Sequence, residues 1–437
     1  MKKFHFRLNP AVVKAGFRSF RHGISRMRGT NVWTFIMYGL LFDMVNNLWR
    51  PFAARFLERL GGTEFEISLL SALPGLVAAI VLLPGAVLFR KFTNKKRATA
   101  AFILISRASL LALAFVPILP AEVRPMLFVI FVAIMNCPDS LSQTSLQSFL
   151  GTVFNGNERG QAIALRTKFG HAIIPVVTIF AGLAITFIPN TEEQRMILYQ
   201  IFFVSAFLLG IVEAIIFNRL KVPEEAANLA EAPGAGEPEK HSFAVIKNIL
   251  KDKKFRAFFI PAICFAFTWH AGWPLMNIFQ VMHLRASEMW FAIFALTSGM
   301  TAFFAGTFWQ RFLRKRGNHA TFVLSAVLLA SNMFTFQFII NVQIMALFQF
   351  FFGFAMVGIN TAILNGVLEA TPDENRLMYL AFFNTAMNIS LFIAPFFAVA
   401  LFSWVGLLNA LMIVGGLRFS AALFIWLRHR LRKTAAS

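Results

Sequence analysis

Long apolar blocks dominate this chain, and they repeatedly exceed the roughly 18–20 residues that an α-helix needs to cross the apolar core of a bilayer. Hydrophobic residues make up 58% of the 437 residues and charged residues 14%. An average soluble domain is only about 45–50% apolar, and a membrane β-barrel has shorter segments of alternating polarity. The sequence therefore predicts an all-α integral membrane protein and excludes a water-soluble enzyme.

Twelve of the apolar blocks are long enough to be membrane spans. The predicted spans are residues 32–54, 67–89, 98–119, 125–150, 161–187, 196–218, 257–281, 288–311, 319–340, 343–368, 377–402 and 404–428. Residues 219–256, rich in Glu, Ala, Pro and Gly, are predicted to form a flexible cytoplasmic linker. The linker divides the chain into an N-terminal six-helix bundle (31–218) and a C-terminal one (257–430), followed by a cytoplasmic tail (431–437).

Basic residues are concentrated in alternate connections between the spans. With the N-terminus in the cytoplasm, 33 of the 41 lysines and arginines fall in cytoplasmic segments and 6 in outer connections. This imbalance is the orientation signal of a membrane protein, so the net charge of +21 does not require a nucleic-acid partner. We predict a multi-pass protein of the plasma or inner membrane with both termini in the cytoplasm.

The basic N-terminal segment, residues 1–30, contains an amphipathic stretch. Val13, Phe17, Phe20 and Ile24 share one helical face, and most of the basic residues lie elsewhere. This pattern predicts a helix lying on the anionic inner leaflet. An unstructured basic tail is the alternative.

The connections of the two halves repeat each other. GAVLFRKFTNKKR follows span two and GTFWQRFLRKRG follows span eight. Each begins with a glycine (Gly85, Gly306), continues to an arginine five residues later (Arg90, Arg311) and ends in a basic cluster. Internal repeats of this kind are typical of transporters built from two related halves.

Further matches occur in the same order along both halves. Arg159 follows span four and Arg376 follows span ten, and spans five and eleven each contain a proline, Pro175 and Pro395. With twelve spans arranged as six and six around a linker, the chain resembles the major facilitator superfamily over residues 31–430. The resemblance implies two pseudo-symmetric six-helix bundles that move a small molecule by alternating access.

The same resemblance implies roles for the repeated connections. Gly85, Arg90, Gly306 and Arg311 match positions that gate the cytoplasmic side in the family, although the aspartate of the family motif is replaced here by phenylalanine and glutamine. Arg159 and Arg376 would form salt bridges between the halves. In each case the alternative is an ordinary loop charge that determines topology.

Polar residues form stripes on four spans, at spacings that place each set on one helical face. The stripes are Asp43, Asn46, Asn47 and Arg50 on span one; Asn136, Asp139, Ser140, Gln143 and Gln147 on span four; His270, Trp273, Asn277 and Gln280 on span seven; and Gln349, Gly353, Asn360, Thr361 and Asn365 on span ten. The resemblance implies that these four spans line the central cavity. The stripes would then face a watery interior, because charges facing lipid are costly.

Two acids inside the spans are candidates for proton coupling. Burial raises the proton affinity of a carboxylate and a neighbouring cation lowers it, so an acid in a cavity that opens to each side in turn can exchange a proton. We predict that Asp43 is the principal coupling acid and Asp139 the second. The alternative for Asp43 is a structural ion pair with Arg107, which also lies inside a span.

Other polar residues are weaker candidates for the substrate cavity. His171, Trp269, His270 and Trp273 could contact substrate, and helix–helix packing is the alternative for each. Glu213 and Arg418 lie three residues after glycines in the last span of each half, and we expect structural pairing or snorkelling for both.

Aromatic content favours one transport function, and two alternatives remain open. The 54 phenylalanines and the run FQFFFGF at 348–354 favour proton-coupled efflux of a lipophilic compound by antiport. The Asn and Gln residues of the stripes support uptake of a small polar nutrient instead. A lipid-moving or non-transporting scaffold is the hypothesis from another class. We expect a monomer whose partners are a small molecule, protons and the bilayer, with no metal or other cofactor.

Overall fold

The computed structural model describes residues 30–90, 92, 94–154, 156–221, 249–372 and 376–434. All regular structure in these residues is helical, as predicted. The α-helices are α1 (Asn31–Trp49), α2 (Ala53–Arg59), α3 (Glu64–Arg90), α4 (Lys95–Phe115), α5 (Arg124–Val153), α6 (Gly156–Phe187), α7 (Glu192–Asn218), α8 (Lys253–Ile278), α9 (Glu288–Thr335), α10 (Val342–Ala370), α11 (Arg376–Val405) and α12 (Leu407–Thr434). The N-terminal basic segment and residues 222–248 of the linker lie outside the described residues.

Nine of the described helices are long and apolar enough to cross a membrane, and one of them, within 288–338, is long enough to cross it twice. Three helices fall short of this criterion: the short α2, which is no predicted span, α1, which carries the polar stripe of span one, and α6, of which only Ile173–Phe187 forms an apolar stretch. With α1 and α6 included, the helices account for the twelve predicted spans, and the predicted all-α membrane fold is confirmed.

Side chains that accept from backbone N–H groups fix several helix starts. Thr30, Thr191 and Asn341 cap α1, α7 and α10 in this way, and Asp252 caps α8 by accepting from two backbone N–H groups. Such caps supply partners for the N–H groups that a helix cannot bond internally. They fix these starts within the polar connections that the sequence predicts.

Predicted spans eight and nine are joined without a loop. Both belong to α9, which is interrupted at Gly317, where φ is 80° and ψ is 172°. A residue with a Cβ atom rarely adopts this backbone conformation. Gly317 therefore marks the break between the two helical segments of α9, and the residues on both sides of it are helical.

A short helix and a cluster of rings close one end of the first half. On α2, Phe56 is fully buried and contacts the rings of Phe128, Tyr199 and Phe203 at centroid distances of 4.5 to 5.4 Å. Tilted and edge-on rings at such distances pack favourably. We call this end of the molecule the α2 side, and the end where α7 stops and α8 starts the linker side.

The two halves meet mainly along two helix pairs, α3 with α11 and α6 with α9. Small residues allow the close approach: Gly75 lies against Leu391, and Gly182 lies against Ala292 and the backbone of Glu288. Within the described residues, α1 and α5 make no extensive contact with helices of the second half. The two packed pairs therefore flank a space bordered by α1 and α5 on one side and by α8 and α10 on the other.

Candidate functional site

Six charged side chains of the first half lie inside the membrane-spanning bundle. They are Asp43 on α1, Arg50 at its end, Arg107 on α4, Asp139 on α5, Arg166 on α6 and Glu213 on α7. Ion pairs join them in two groups: Arg107, Glu213, Asp139 and Arg50 form one, and Asp43 and Arg166 form the other. We call the six residues together the charged layer. It brings the two sequence-predicted coupling acids to three arginines from three different segments.

The tightest pair in the charged layer joins Arg107 to Glu213. Arg107 Nε donates to Glu213 Oε2 at 2.8 Å and Arg107 Nη2 donates to Oε1 at 3.1 Å. Both residues are buried, and a Cβ atom on Gly210 would meet the Arg107 side chain. Two parallel hydrogen bonds between buried charges hold α4 against α7. The expected structural pairing of Glu213 is therefore confirmed, with Arg107 as its partner.

Asp139 lies between two arginines. Arg107 Nη1 donates to its Oδ1 at 3.3 Å, and Arg50 Nη2 lies 3.8 Å from its Oδ2. The second contact is at the outer limit for an ion pair. Asp139 therefore shares the charge of a buried arginine and attracts a second, more accessible one.

Asp43 pairs with a cation that sequence reasoning missed. Its Oδ1 lies 3.7 Å from Arg166 Nη2 on α6, whereas Arg107, the partner considered from sequence, binds Glu213 and Asp139. Two glycines make room for this pair. A Cβ atom on Gly39 would collide with the Arg166 side chain, and one on Gly170 would lie 2.6 Å from Asp43 Oδ2. The pair depends on close approach of α1 and α6.

An aromatic ring stands between two guanidinium groups of the layer. The Phe42 centroid lies 5.4 Å from Arg107 Cζ and 5.8 Å from Arg166 Cζ. Cations within about 6 Å of a ring are attracted to its electron-rich face. Phe42 of α1 therefore helps to hold the guanidinium groups of α4 and α6 in place.

Several predicted cavity amides bond to their own helix. Asn46 and Asn47 donate to Phe42 O and Asp43 O, both at 2.8 Å, and Asn136 donates to Val132 O at 2.7 Å. Asn46 is buried while Asn47 and Asn136 are half-buried. Each amide already uses one of its two N–H donors on its own helix, so these residues offer less to a cavity than their spacing suggests.

The second half contributes a mostly uncharged group of polar and aromatic side chains. His270 Nδ1 lies 3.0 Å from Ser390 Oγ, which joins α8 to α11. Trp269 stacks on His270 at 5.7 Å, and Trp273 meets Phe352 of α10 edge-on at 6.1 Å. For Trp269 and His270, these contacts correspond to packing, the alternative to a substrate contact that the sequence leaves open.

Other predicted residues of the second half differ in exposure. Gln349 is buried, Asn277 is half-buried and Asn360 is exposed. In the first half, Gln143 is half-buried, and its Nε2 has no hydrogen-bond partner. The polar residues of α10 therefore do not form one continuous solvent-accessible face.

Arg418 on α12 is the buried cation of the second half. Its Nη1 donates to Leu329 O and its Nη2 to Thr268 O, both at 3.0 Å. Gly272 leaves space for the guanidinium. Arg418 thus ties α8, α9 and α12 together through backbone carbonyls. Of the two roles that the sequence left open, structural pairing and snorkelling, this burial excludes snorkelling.

The predicted cytoplasmic gating residues are only partly covered by the structure. On α9, Gly306 has open space around its Cα atom and Arg311 is exposed. Side chains of four further predicted residues lie outside the described part: Gly85, Arg90, Arg159 and Arg376. The same is true of His171 and Gln147. Among the described residues, no group of three or more His, Cys, Asp or Glu is arranged to hold a metal ion.

A second ion-pair network crosses between the halves on the α2 side, and sequence reasoning missed it. Arg59 of α2 donates from Nε to Glu288 Oε1 at 2.6 Å, from Nη2 to Glu288 Oε2 at 3.2 Å and from Nη1 to Glu192 Oε2 at 2.6 Å. Tyr199 Oη also donates to Glu288 Oε1, at 2.9 Å. We call this network the α2-side lock.

The lock is electrostatically strong. Burial opposes the charge of Arg59, but the hydrogen bond and the charge of Glu288 outweigh burial and hold the pKa of Arg59 above its ordinary value. A backbone contact supports the same junction, because Met289 N donates to Thr186 Oγ1 at 3.0 Å. One feature of the sequence points to this network: Glu192 and Glu288 both lie at helix N-termini, where acids are favoured.

Comparisons with known proteins agree with this architecture. The family model described as Major Facilitator Superfamily matches residues 34–330 and 285–437. No curated protein matches the chain in sequence. A crystal structure of the nucleoside transporter NupG matches with a TM-score of 0.70 and 12% identity, covering 91% of this chain and all of NupG.

Two further solved structures share the fold. The xylose transporter XylE from E. coli, in an inward-open conformation, matches with a TM-score of 0.61 and 14% identity over 91% of this chain and 94% of XylE. A POT family transporter in complex with a thioalcohol-conjugated peptide matches with a TM-score of 0.65 and 14% identity over 92% of this chain and 96% of that one. Twelve spans in two packed halves, together with a family model that matches nearly the whole chain, show that this multi-pass membrane transporter belongs to the Major Facilitator Superfamily.

Proposed function

We propose that this transporter moves a small polar solute by alternating access and couples the movement to protons at Asp43. The observation that carries the proposal is the Asp43–Arg166 pair. It joins two helices of the first half at 3.7 Å, far looser than the 2.8 Å of the Arg107–Glu213 pair. A loose pair that is partly open to the space between the halves is suited to repeated opening and closing.

Proton exchange follows from the electrostatics of this pair. While Arg166 is close, its charge stabilises the ionised form of Asp43; when the pair opens in a poorly hydrated space, burial favours the protonated form. A helix movement that separates α1 from α6 would therefore change the proton affinity of Asp43. Intramembrane acids are found mainly where such functions require them, because their burial is costly.

Asp139 is the second coupling acid in this proposal. Its carboxylate lies between a buried cation, Arg107 at 3.3 Å, and a more accessible cation, Arg50 at 3.8 Å. Protonation of Asp139 would weaken its hold on Arg50 and leave the Arg107–Glu213 pair intact. Arg50 would then be free to bind an incoming solute.

A polar solute is favoured over a lipophilic one by the distribution of the phenylalanines on α10. Phe350 and Phe351 are exposed, Phe354 packs on Trp309 of α9, and Phe352 meets Trp273. Of these four rings only Phe352 meets Trp273, so the run surrounds its helix and does not line a cavity as a continuous aromatic face. The related structures carry names of transporters for a nucleoside, xylose and peptides, all polar solutes. Lipophilic efflux stays a prediction of the sequence.

Orientation in the membrane follows from charge in this proposal. The linker side carries most of the basic residues, and such sides face the cytoplasm. The α2-side lock would then close the external entrance. Transport would require the lock to open and the linker side to close in turn.

The test uses the purified full chain in proteoliposomes that contain a pH-sensitive dye. An imposed pH gradient is combined with a panel of sugars, nucleosides, dipeptides and carboxylates. We expect at least one solute to drive a proton flux, and Asp43→Asn to abolish it while the protein remains folded. The matched control is Glu58→Gln, which removes a carboxylate from a half-buried i,i+3 pair on α2.

Two results would contradict the proposal. Solute movement at the wild-type rate in the Asp43→Asn variant, still accompanied by protons, would remove Asp43 from coupling. Lipid movement between leaflets without solute transport would support the lipid-moving hypothesis instead.

A further inference from the structure

We infer that the solute is an organic anion, such as a carboxylate with an apolar or aromatic body, held by Arg50 and Arg166. This inference rests on the proposed function, because it assigns the chemical class of the solute bound at the same charged layer. The evidence for it is the number of arginines and acids in the layer and the exposed fraction of each charged side chain.

The described membrane interior holds more arginines than acids. Its four guanidinium groups belong to Arg50, Arg107, Arg166 and Arg418, and its three carboxylates belong to Asp43, Asp139 and Glu213. In the second half the described acids lie at or near helix ends, at Asp252, Glu288 and Glu369. This count includes Arg50 at the end of α1, which supplies the one excess positive charge of the described interior. Because uncompensated charge in a bilayer is costly, an anion would be stabilised there.

The arginines are also more accessible than the acids that pair with them. The side chains of Arg50 and Arg166 are 42% and 28% exposed, whereas those of Asp139 and Asp43 are 11% and 17% exposed. A solute in the space between the halves would therefore meet guanidinium groups before carboxylates. Clefts lined by one sign of charge concentrate ligands of the opposite sign.

The buried arginines are already committed to other partners. Arg107 has two hydrogen bonds to Glu213 and one to Asp139, and Arg418 donates to backbone carbonyls. Arg50 and Arg166 have only long contacts with carboxylates, at 3.8 and 3.7 Å. A ligand carboxylate offering two oxygens in one plane matches a guanidinium better than these distant side chains do.

The second half supplies the complementary surface for the body of the solute. On α8 and α10, Trp273 and Phe352 form an edge-on aromatic pair at 6.1 Å, and both are half-buried. Neither carries a charge. An anion with its charged end at the first half and an apolar or aromatic body towards the second half would satisfy both surfaces.

The test is binding, measured on the purified full chain as a thermal shift and by tryptophan fluorescence. The anionic probes are benzoate and hexanoate, and the matched probes are the neutral benzamide and the cationic benzylamine. We expect saturable stabilisation by the anions only. Arg50→Gln and Arg166→Gln should each weaken benzoate affinity by about tenfold or more, the scale of a lost charge-assisted contact.

Two further variants separate recognition from folding. Arg166→Lys keeps the charge that faces Asp43 but loses the planar donor pair, so it should fold and bind benzoate more weakly than wild type. Arg55→Gln, which removes an arginine paired with Glu58 outside the layer, should bind as wild type does. Equal or stronger binding of benzamide or benzylamine, unchanged affinity in the arginine variants, or no shift with either anion would overturn the inference.

The same panel distinguishes this inference from the proposed coupling. Arginine-dependent benzoate binding without proton flux would leave the anion site standing and remove proton coupling. Proton flux driven by neutral solutes, without anion binding, would leave the coupling standing and remove the anion site.

Discussion

The guanidinium of Arg59 and the carboxylate of Glu288 join the two halves of the transporter by two hydrogen bonds, although the residues are 229 positions apart in sequence. Glu288 is only 1% exposed, so both hydrogen bonds act in a poorly hydrated setting. Loss of one partner from a buried ion pair costs roughly 3–5 kcal/mol, because the other charge is left uncompensated. This relationship holds the two halves together on the α2 side in the described conformation.

The first prediction is that Glu288→Gln opens the α2 side. The reporter is Asn47→Cys, on the stripe of α1, in a background where Cys137 and Cys264 are replaced by serine. We expect an impermeant maleimide added from the α2 side to label this cysteine several-fold faster when Glu288 is neutral, because Arg59 then keeps only Glu192 as an acidic partner.

The matched control for the lock is Glu58→Gln. Its half-buried pair with Arg55 lies within one turn of the same short helix, and local pairs of this kind are worth about 0.2–0.5 kcal/mol. Labelling should therefore stay at the wild-type rate in the control. Equal labelling of wild type and Glu288→Gln would show that the lock does not hold the two halves together.

The second prediction concerns stability. Glu213→Gln should lower the free energy of unfolding by roughly 3–5 kcal/mol, because Arg107 would remain buried without its main partner. Replacing both residues by methionine should cost less than Glu213→Gln, because neither buried charge of the pair is left alone and Asp139 keeps Arg50 as a neighbouring cation. Thermal unfolding of the purified protein in detergent measures both. A double variant that is less stable than Glu213→Gln would contradict the structural role of the pair.

Sequence periodicity predicted the fold and the location of charged faces well, and the reason is physical. A bilayer requires long apolar helices, so the spans are apparent from residue type alone. The stripe of Asp43, Asn46, Asn47 and Arg50 was also predicted, because polar groups must avoid lipid. Periodicity says which face is polar, but it does not say which residue on another helix lies opposite.

The missed residues are those whose partners depend on tertiary packing. Arg166 lies close to the start of predicted span five, where sequence alone does not distinguish it from the basic residues of the preceding cytoplasmic connection. Gly39 and Gly170 leave space for the Arg166 and Asp43 side chains to meet. Such a close approach of two helices cannot be predicted from one sequence. The Arg59–Glu288 pair was missed for the same reason, because two helix ends from different halves meet there.

The third prediction tests the break within α9. Gly317→Ala should destabilise the protein by about 1–3 kcal/mol, because an alanine is strained at φ 80°. Gly306→Ala is the matched control, since Gly306 lies inside the helix with no atoms near its missing side chain. It should be neutral or stabilising by up to roughly 1 kcal/mol. Equal thermal stability of the two variants would contradict a left-handed residue at position 317.

The last prediction links packing to coupling. An added Cβ atom at Gly170 would lie 2.6 Å from Asp43 Oδ2, so Gly170→Ala must push α6 or the carboxylate away from its present position. Overpacking of this kind typically costs about 1–3 kcal/mol, which leaves the fold intact and changes the Asp43–Arg166 pair. We expect proton flux in the dye-containing proteoliposomes to fall by at least about tenfold, if the displaced carboxylate loses on the order of 1.4 kcal/mol of favourable interaction. Gly416→Ala, at a glycine with open space around it, should keep the wild-type flux. Wild-type flux in Gly170→Ala, in a protein whose thermal stability is also unchanged, would show that the separation of Asp43 from Arg166 does not set coupling.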